Sequence, residues 1–230
     1  MIGEDWDQAG FGMLRNLAEP STVSHLIQAL AAHPDAEDSG KSRAGRRHVL
    51  RSIPEVGQWL DSPAVRWVTT AILGPGARPV RGLLFDKNST HNWRIGWHQD
   101  GTITVAERVD LPGFTGWTCR DGVWQVRPPA QVLEGVLTLR LHLDACDSDN
   151  GPLKVLPGTH RNGQLTPTEI QSWVQRQTPV ECPAAAGDVL AMRPLLLHAS
   201  DPARRPQRRR VLHVEFASAE LPTPLRWQPD

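Results

Sequence analysis

The first third of the chain repeats its apolar residues at helical spacing. In residues 20–31, a proline and two hydroxyl residues precede apolar positions spaced three or four apart, the pattern of a capped amphipathic helix. Residues 54–60 and 63–73 show the same spacing after a proline, and Gly74 ends the second stretch. We therefore predict that residues 1–76 form a mainly helical N-terminal part.

Residues 33–48 interrupt this part with a polar segment of mixed charge. A segment without apolar periodicity is typical of a surface loop, and such loops often carry function. We predict a mobile loop here that moves over a binding site.

From residue 80 onward the pattern becomes that of β-strands. Short apolar runs, separated by turn residues, cover residues 80–85, 93–105, 133–143, 154–156, 188–198 and 208–217. Many short strands at this spacing are typical of a β-sandwich or a barrel. Residues 106–132 are rich in proline, glycine and tryptophan and have no clear period. We predict that they form a long loop, a lid or substrate-shaping insertion within a β core of residues 80–217.

Length and charge limit the class of protein. A chain of 230 residues suits a single domain with a large core, so we predict one domain over residues 1–230. Lysine plus arginine equals aspartate plus glutamate, 25 each, which predicts no general attraction to nucleic acid or to an anionic membrane. The three cysteines lack metal or redox spacing, and neither a secretory leader nor an apolar run of about 20 residues is present. These features predict a soluble cytoplasmic protein.

Candidate metal ligands occur in two distant places. His98 and Asp100 are two positions apart, so on an extended strand both point to one side while Gln99 faces away. His198 follows an apolar run, and we predict a strand over residues 188–198 that ends at His198 and lies opposite the first. Two imidazoles and one carboxylate form the facial triad that holds non-haem Fe(II) with open positions. His-x-Asp also occurs by chance, and a histidine after leucines is often an ordinary core residue.

An arginine-rich segment follows the distal histidine. Five of the seven residues from 204 to 210 are arginine, and most of them fit a solvated basic surface. One that entered the barrel would bind a carboxylate through two parallel charged hydrogen bonds. Strand alternation puts Arg209 on one face with His213 and Glu215, and Arg210 on the other, without choosing which of the two faces inward.

Together these motifs resemble the phytanoyl-coenzyme A dioxygenase family of Fe(II)- and 2-oxoglutarate-dependent oxygenases. The resemblance covers about residues 87–216 and rests on His98-x-Asp100, Asn150-Gly151-Pro152-Leu153, Leu156-Pro157-Gly158-Thr159-His160, His198-x-Ser200 and Arg209, eleven positions after His198. It implies a double-stranded β-helix, a jelly-roll barrel with flanking helices. It also implies that Fe(II) is bound by His98, Asp100 and His198, and the distal carboxylate of 2-oxoglutarate by Arg209 with help from Ser200.

The sequence departs from the family pattern in places. Ala203 stands where asparagine is frequent, and Arg140 where an aromatic residue is common, which makes the cosubstrate pocket more cationic. Arg140 either contacts 2-oxoglutarate or an acidic substrate, or is an outward strand charge. Lys87, at a frequent lysine position, either lines the pocket or is an exposed lysine. His142 and His213 are candidates for supporting the ligands.

The resemblance implies an enzyme that uses Fe(II), 2-oxoglutarate and O2 to hydroxylate a small metabolite or natural-product intermediate, with release of succinate and CO2. Asp100 favours hydroxylation, because related halogenases have a small residue there. Desaturation, cyclisation and epimerisation are alternative outcomes of the same chemistry. A non-catalytic metal-binding barrel with a regulatory or interaction role is one rival, and a nucleic-acid demethylase of the same superfamily, prompted by the arginine segment, is another.

Overall fold

Helices occupy the positions that the apolar spacing predicted. The computed structural model describes residues 5–33 and 45–228. Its helices are α1 (Trp6–Ala9), α2 (Pro20–Ala32), α3 (Val49–Ser52), α4 (Pro54–Leu60), α5 (Pro63–Leu73), α6 (Ala130–Glu134) and α7 (Pro167–Arg176). The predicted helices that begin at Pro20, Pro54 and Pro63 are confirmed, and the Ser62 hydroxyl caps α5 by accepting from the Val65 amide. None of the described helices has the length and hydropathy to cross a membrane.

Two antiparallel sheets form the jelly roll. The strands are β1 (Phe11–Leu14), β2 (Arg78–Lys87), β3 (Ile95–His98), β4 (Ile103–Val105), β5 (Thr115–Arg120), β6 (Val123–Arg127), β7 (Val136–His142), β8 (Leu153–Val155), β9 (Val180–Cys182), β10 (Val189–Met192), β11 (His198–Ser200) and β12 (Arg209–Ala217). The first sheet has the order β1-β10-β7-β12-β2 and the second β3-β11-β8-β9. Both line one cavity, and helices cover the outside of the first. This is the mainly β fold with flanking helices that was predicted.

Strand alternation separates an apolar face of the first sheet from a polar one. On β7, Leu137, Leu139 and Leu141 pack in a core with residues of α2, α4 and α5, and β12 contributes Leu212, Val214 and Phe216 to the same core. The intervening residues of β7, which are Thr138, Arg140 and His142, are also buried but face the other way. The helices therefore stabilise one face, and the opposite face is left to line the space between the sheets.

The stretch over residues 106–132 differs from the predicted loop. Strands β5 and β6 form a hairpin around Asp121 and Gly122, both at positive φ, and β4 joins it in a third sheet of order β4-β6-β5. Residues of β5 are mostly exposed, so the strand has no buried face and shows no apolar alternation in the sequence. The loop assignment is therefore wrong, whereas the role of this stretch as a lid stays a prediction.

Two predicted strands are interrupted close to the candidate ligands. β10 ends at Met192, and a turn through Pro194 leads to β11, so His198 begins a strand of the second sheet and does not end one. The apolar run looked continuous because the leucines 195–197 are buried in the connection. The strand predicted over residues 93–105 likewise stops at His98, and the Asp100 amide donates to the Pro194 carbonyl at 2.9 Å. The strand predicted over residues 133–143 begins only at Val136.

Some elements had no clear sequence signal, and two predictions are not tested by the described residues. α1, β1 and β9 were not predicted, because each has only three or four residues. Residues 34–44 lie outside the described residues, so the loop predicted over residues 33–48 stays a prediction there. The single-domain organisation also stays a prediction.

Candidate active site

Three side chains from distant parts of the sequence meet between the sheets. His98 at the end of β3 and His198 at the start of β11 are direct partners in the antiparallel pair, with ring centroids 4.2 Å apart. Asp100 follows β3, with Oδ1 3.7 Å from Nε2 of His98 and Oδ2 3.7 Å from Nε2 of His198. The donor atoms all lie within 4.8 Å of one another, which is compact enough to surround one ion.

The two imidazoles are oriented by their own backbone. Nδ1 of His98 lies 2.8 Å from the Gly96 carbonyl, and Nδ1 of His198 lies 2.9 Å from the Leu196 carbonyl. A carbonyl only accepts, so each Nδ1 carries the proton and each Nε2 keeps its lone pair. Oδ2 of Asp100 is buried and has no hydrogen-bond partner among the described residues. Two free imidazole lone pairs and an unsatisfied carboxylate oxygen fit a divalent metal.

Gln99 faces away from the triad, as the alternation predicted. Its amide donates to the carbonyls of Gly163 and Leu195, and its oxygen accepts from the Leu165 amide. These bonds tie the short connection after His98 to the segment before α7 and to the connection between β10 and β11. Gln99 therefore helps to fix the direction in which its two neighbours point.

The charge states of the cluster suit a metal ligand set at neutral pH. Burial raises the pKa of Asp100, but the neighbouring His198, His213 and His98 outweigh this, so the net pKa lies below the usual range. Burial, with a smaller effect of His98, lowers the pKa of His198 to about 3. An ionised carboxylate and a neutral imidazole are the forms that donate electron pairs to a metal.

A cationic group lies at one end of the same cavity. Arg209 is 4% exposed, both its terminal nitrogens lie 3.3 Å from the Ser200 hydroxyl, and it donates to the Gly151 carbonyl. Lys87, opposite Arg209 across β2 and β12, donates to Ser200 at 3.1 Å and to the Asp201 carbonyl at 3.4 Å. We call Arg209, Ser200 and Lys87 the cationic end.

Arg210 has a different environment from its neighbour. Its guanidinium binds Asp144 through Nε at 2.8 Å and Nη2 at 2.7 Å, on the opposite face of β12. Strand alternation left open which of the two arginines faces inward. In the fold, Arg209 faces the cavity and Arg210 does not. The other arginines of the segment pair with exposed or half-buried aspartates, Arg204 and Arg205 with Asp149 and Arg208 with Asp86. The segment is therefore largely neutralised by neighbouring carboxylates.

Lys87, Arg140 and Arg209 face the cavity without a carboxylate partner among the described residues. Burial, helped by Arg209 and Arg140, lowers the pKa of Lys87 to about 7. Arg140 is buried between the sheets, so the alternative prediction of an outward-facing strand charge is wrong. Burial lowers the pKa of Arg140 to about 10. The Nε atoms of Arg209 and Arg140 are buried without a hydrogen-bond partner. Buried unpaired cations are costly, so the arrangement fits a bound dianion.

The turn at Gly151 and the position of Ala203 shape this end. Gly151 has a φ of 63°, and a Cβ there would lie 2.5 Å from the Asp201 carbonyl, so only glycine presents its carbonyl to Arg209 without displacement. Asn92 binds both backbone groups of Ala203, at 2.7 and 3.0 Å. An asparagine from another segment thus holds the residue where the family pattern has its own asparagine.

The opposite end carries charged residues that the sequence analysis did not select. Glu215 is 3% exposed and its Oε1 lies 3.3 Å from Nη1 of Arg81 and 3.4 Å from Nε2 of His213. We call Arg81, Glu215 and His213 the paired end. Alternation had placed Glu215 on the same face as Arg209, which was the available signal, but a charge on a strand usually faces water.

Comparison with known proteins agrees with this geometry. The family model for phytanoyl-CoA dioxygenase (PhyH) matches residues 6–211. EctD from S. alaskensis, in its apoform, has a TM-score of 0.72 and 18% identity, covering 95% of this chain and 77% of that one. HygX from Streptomyces hygroscopicus, with nickel and 2-oxoglutarate bound, has a TM-score of 0.67 and 16% identity, covering 95% and 88%. SnoN, a non-heme alpha ketoglutarate dependent epimerase from nogalamycin biosynthesis, has a TM-score of 0.66 and 15% identity, covering 94% of this chain and 80% of that one. Among curated proteins there is no match.

Proposed function

The chain belongs to the phytanoyl-CoA dioxygenase family, and from this premise we propose that it is an Fe(II)- and 2-oxoglutarate-dependent dioxygenase that hydroxylates a C–H bond of a small molecule. The family uses Fe(II), 2-oxoglutarate and O2. The observation that carries the proposal is the convergence of a compact His98, Asp100 and His198 cluster with an unpaired cationic end in one cavity. A metal-binding barrel without catalysis has no need for the second feature.

In this proposal each residue has a defined task. His98 and His198 donate their Nε2 lone pairs and Asp100 its carboxylate to the iron. Arg209 binds the distal carboxylate of 2-oxoglutarate, while Ser200 and Lys87 add neutral and charged hydrogen bonds to it. When bound, the iron and the cosubstrate together supply the activation of O2, with release of succinate and CO2.

Arg140 extends the cationic lining toward the metal. Its Nη1 lies 2.8 Å from Nδ1 of His213, and its Cζ lies 5.3 Å from the centroid of the Phe85 ring. We assign it to the cosubstrate side, where its charge balances part of the 2-oxoglutarate dianion. Phe85 and Leu153 cover the pocket with apolar surface that excludes water and strengthens these charged contacts.

Hydroxylation is the outcome that the lining residues favour. Epimerisation returns a hydrogen atom to the substrate carbon and so needs a donor such as a tyrosine or a thiol beside it. The chain contains no tyrosine, and the described residues that line the cavity include no cysteine or tryptophan. Cys146 and Trp93 lie behind the cationic end, where they contact Arg209 and Lys87. Asp100 also fills the ligand position that a halide would need.

The proposal is tested by anaerobic addition of Fe(II) and 2-oxoglutarate, with detection of the weak visible metal-to-ligand charge-transfer band. We expect the wild type to form the band, and His198→Ala and Arg209→Ala to lose it. Arg210→Ala is the matched control and should keep it, since that side chain faces Asp144. Release of succinate on addition of O2 then provides the assay for a substrate search. Metal binding without the band would instead favour the non-catalytic barrel.

A further inference from the structure

The wall of the cavity next to the candidate metal ligands is polar and shares Asp100 with them. His213 and Glu215 project from β12 between Arg140 on β7 and Arg81 on β2. One donor atom each of Asp100, His213 and Glu215 lie within 4.8 Å of one another. A molecule that presents a C–H bond to the metal would therefore touch this wall.

The hydrogen bonds along the wall run in one direction. A guanidinium only donates, so Nη1 of Arg140, 2.8 Å from Nδ1 of His213, requires a lone pair on that nitrogen. The imidazole proton then resides on Nε2, which donates to Oε1 of Glu215 at 3.4 Å. Arg81 donates to the same oxygen at 3.3 Å. Nη1 of Arg140, Nε2 of His213 and Nη1 of Arg81 thus each donate to an acceptor that is already present.

One strong acceptor is left over. Both described contacts to Glu215 use Oε1, and none of the described residues bonds to Oε2. The side chain is 4% exposed and lines the cavity, so Oε2 is a charged acceptor held at a fixed place with little access to bulk water. Because this acceptor opens into the cavity and carries charge, it can accept a strong hydrogen bond from a ligand that supplies a donor.

The charges around the cavity decide what kind of donor fits. Four cationic side chains (Arg81, Lys87, Arg140 and Arg209) face two anionic ones (Asp100 and Glu215). The charges of a divalent metal and of a 2-oxoglutarate dianion cancel, so the loaded site keeps an excess of positive charge. A cationic amine entering this space is repelled, whereas a neutral hydroxyl is not.

We propose that the substrate is a small hydroxyl-bearing molecule without positive charge, neutral or acidic, and that one of its hydroxyl groups donates to Oε2 of Glu215. This inference rests on the proposed function. Arg81 and His213 act as positioning residues, because they hold Oε1 and so aim Oε2. A carbon close to the bound hydroxyl is then the one presented to the metal.

The test uses the anaerobic protein loaded with Fe(II) and 2-oxoglutarate, whose visible band changes when a molecule binds beside the metal. The probes are cyclohexanol, a cyclohexane diol and methyl glucoside, each compared with the amine of the same carbon skeleton. We expect at least one alcohol to perturb the band, and its amine to bind about tenfold or more weakly. Glu215→Gln should weaken the alcohol about tenfold, because a hydrogen bond to a charged acceptor becomes one to a neutral amide.

Glu181→Gln, which changes an exposed glutamate on β9, is the matched control and should bind the alcohol as the wild type does. The unperturbed band of Glu215→Gln with 2-oxoglutarate reports that the variant is folded. Equal or tighter binding of the amines overturns the inference. So does unchanged alcohol binding by Glu215→Gln, or a band that forms in the wild type and responds to no alcohol. A wild type without the band overturns the proposed function itself, and this inference falls with it.

Discussion

The two ends of the cavity solve the problem of buried charge in opposite ways. At the cationic end, Arg209 and Lys87 converge on a hydroxyl and on backbone carbonyls, and no described carboxylate neutralises them. At the paired end, Arg81 and Glu215 neutralise each other at 3.3 Å. The first arrangement is stabilised when an anion binds, and the second is already balanced without a ligand.

This difference indicates which ligand each end accepts. A dianion stabilises the cationic end most, because it neutralises the cations there and accepts hydrogen bonds from their remaining donors. A paired end gains little from a charged ligand, because any new ion competes with the existing partner. It can still bind a neutral donor through the oxygen that the pair leaves free. The cavity therefore discriminates between cosubstrate and substrate by charge before it does so by shape.

The largest effect, a loss of Fe(II) affinity, is expected when a metal ligand is removed. His198→Ala should lower Fe(II) affinity more than about a hundredfold, since changes outside the ligand set alone cost 10- to 100-fold. His142→Ala is the matched control, because His142 is also a buried histidine of the sheets but does not line the cavity. It should lower stability but keep the metal. Anaerobic metal titration measures both, and equal loss in the two variants would contradict the ligand assignment.

The second effect should distinguish the two adjacent arginines. Arg209→Leu is expected to weaken 2-oxoglutarate binding about a hundredfold, because it leaves a buried carboxylate without its charged partner. Arg210→Leu removes an ion pair with the half-buried Asp144 and should leave 2-oxoglutarate affinity unchanged. Calorimetric titration of the metal-loaded protein measures both constants. Similar losses would mean that the inward position of Arg209 does not decide cosubstrate binding.

A smaller effect should appear in the pH dependence of cosubstrate binding. Lys87 has a pKa of about 7 in the free protein, and a bound carboxylate raises it, so binding favours the protonated lysine. The dissociation constant of 2-oxoglutarate should be flat below about pH 7 and rise above it. Lys87→Met should bind more weakly at low pH and lose this rise. A wild-type dissociation constant that stays unchanged from about pH 6 to about pH 9 would contradict the role of Lys87.

The smallest effect is expected for 2-oxoglutarate at the paired end. Glu215→Gln should change the dissociation constant of 2-oxoglutarate less than about threefold, because Glu215 pairs with Arg81 at a different level of β12 from Arg209 and the side chain keeps its shape. Calorimetric titration of the metal-loaded variant measures this. A loss comparable with that of Arg209→Leu would mean that the two ends are not separate.

The sequence by itself determined the local features and the family. Helical spacing located α2, α4 and α5, and the family resemblance is confirmed by a model that matches residues 6–211. The same motifs named His98, Asp100 and His198, whose metal role stays a prediction although the fold brings them together. These features depend on residues close in sequence, or on a spacing that any strand pairing preserves, so they can be read without the fold.

Only the tertiary structure decided which side chains share the cavity. Alternation gave β12 two faces, but the choice of Arg209 over Arg210 required the position of Asp144 on the other side of the sheet. Glu215 became a site residue because Arg81 from β2 and His213 meet it inside the barrel. Because the chain turns at Pro194, His198 lies on β11 in the second sheet and not on β10 in the first. Whether a charge is buried and paired depends on partners from strands distant in sequence, and no local pattern contains that information.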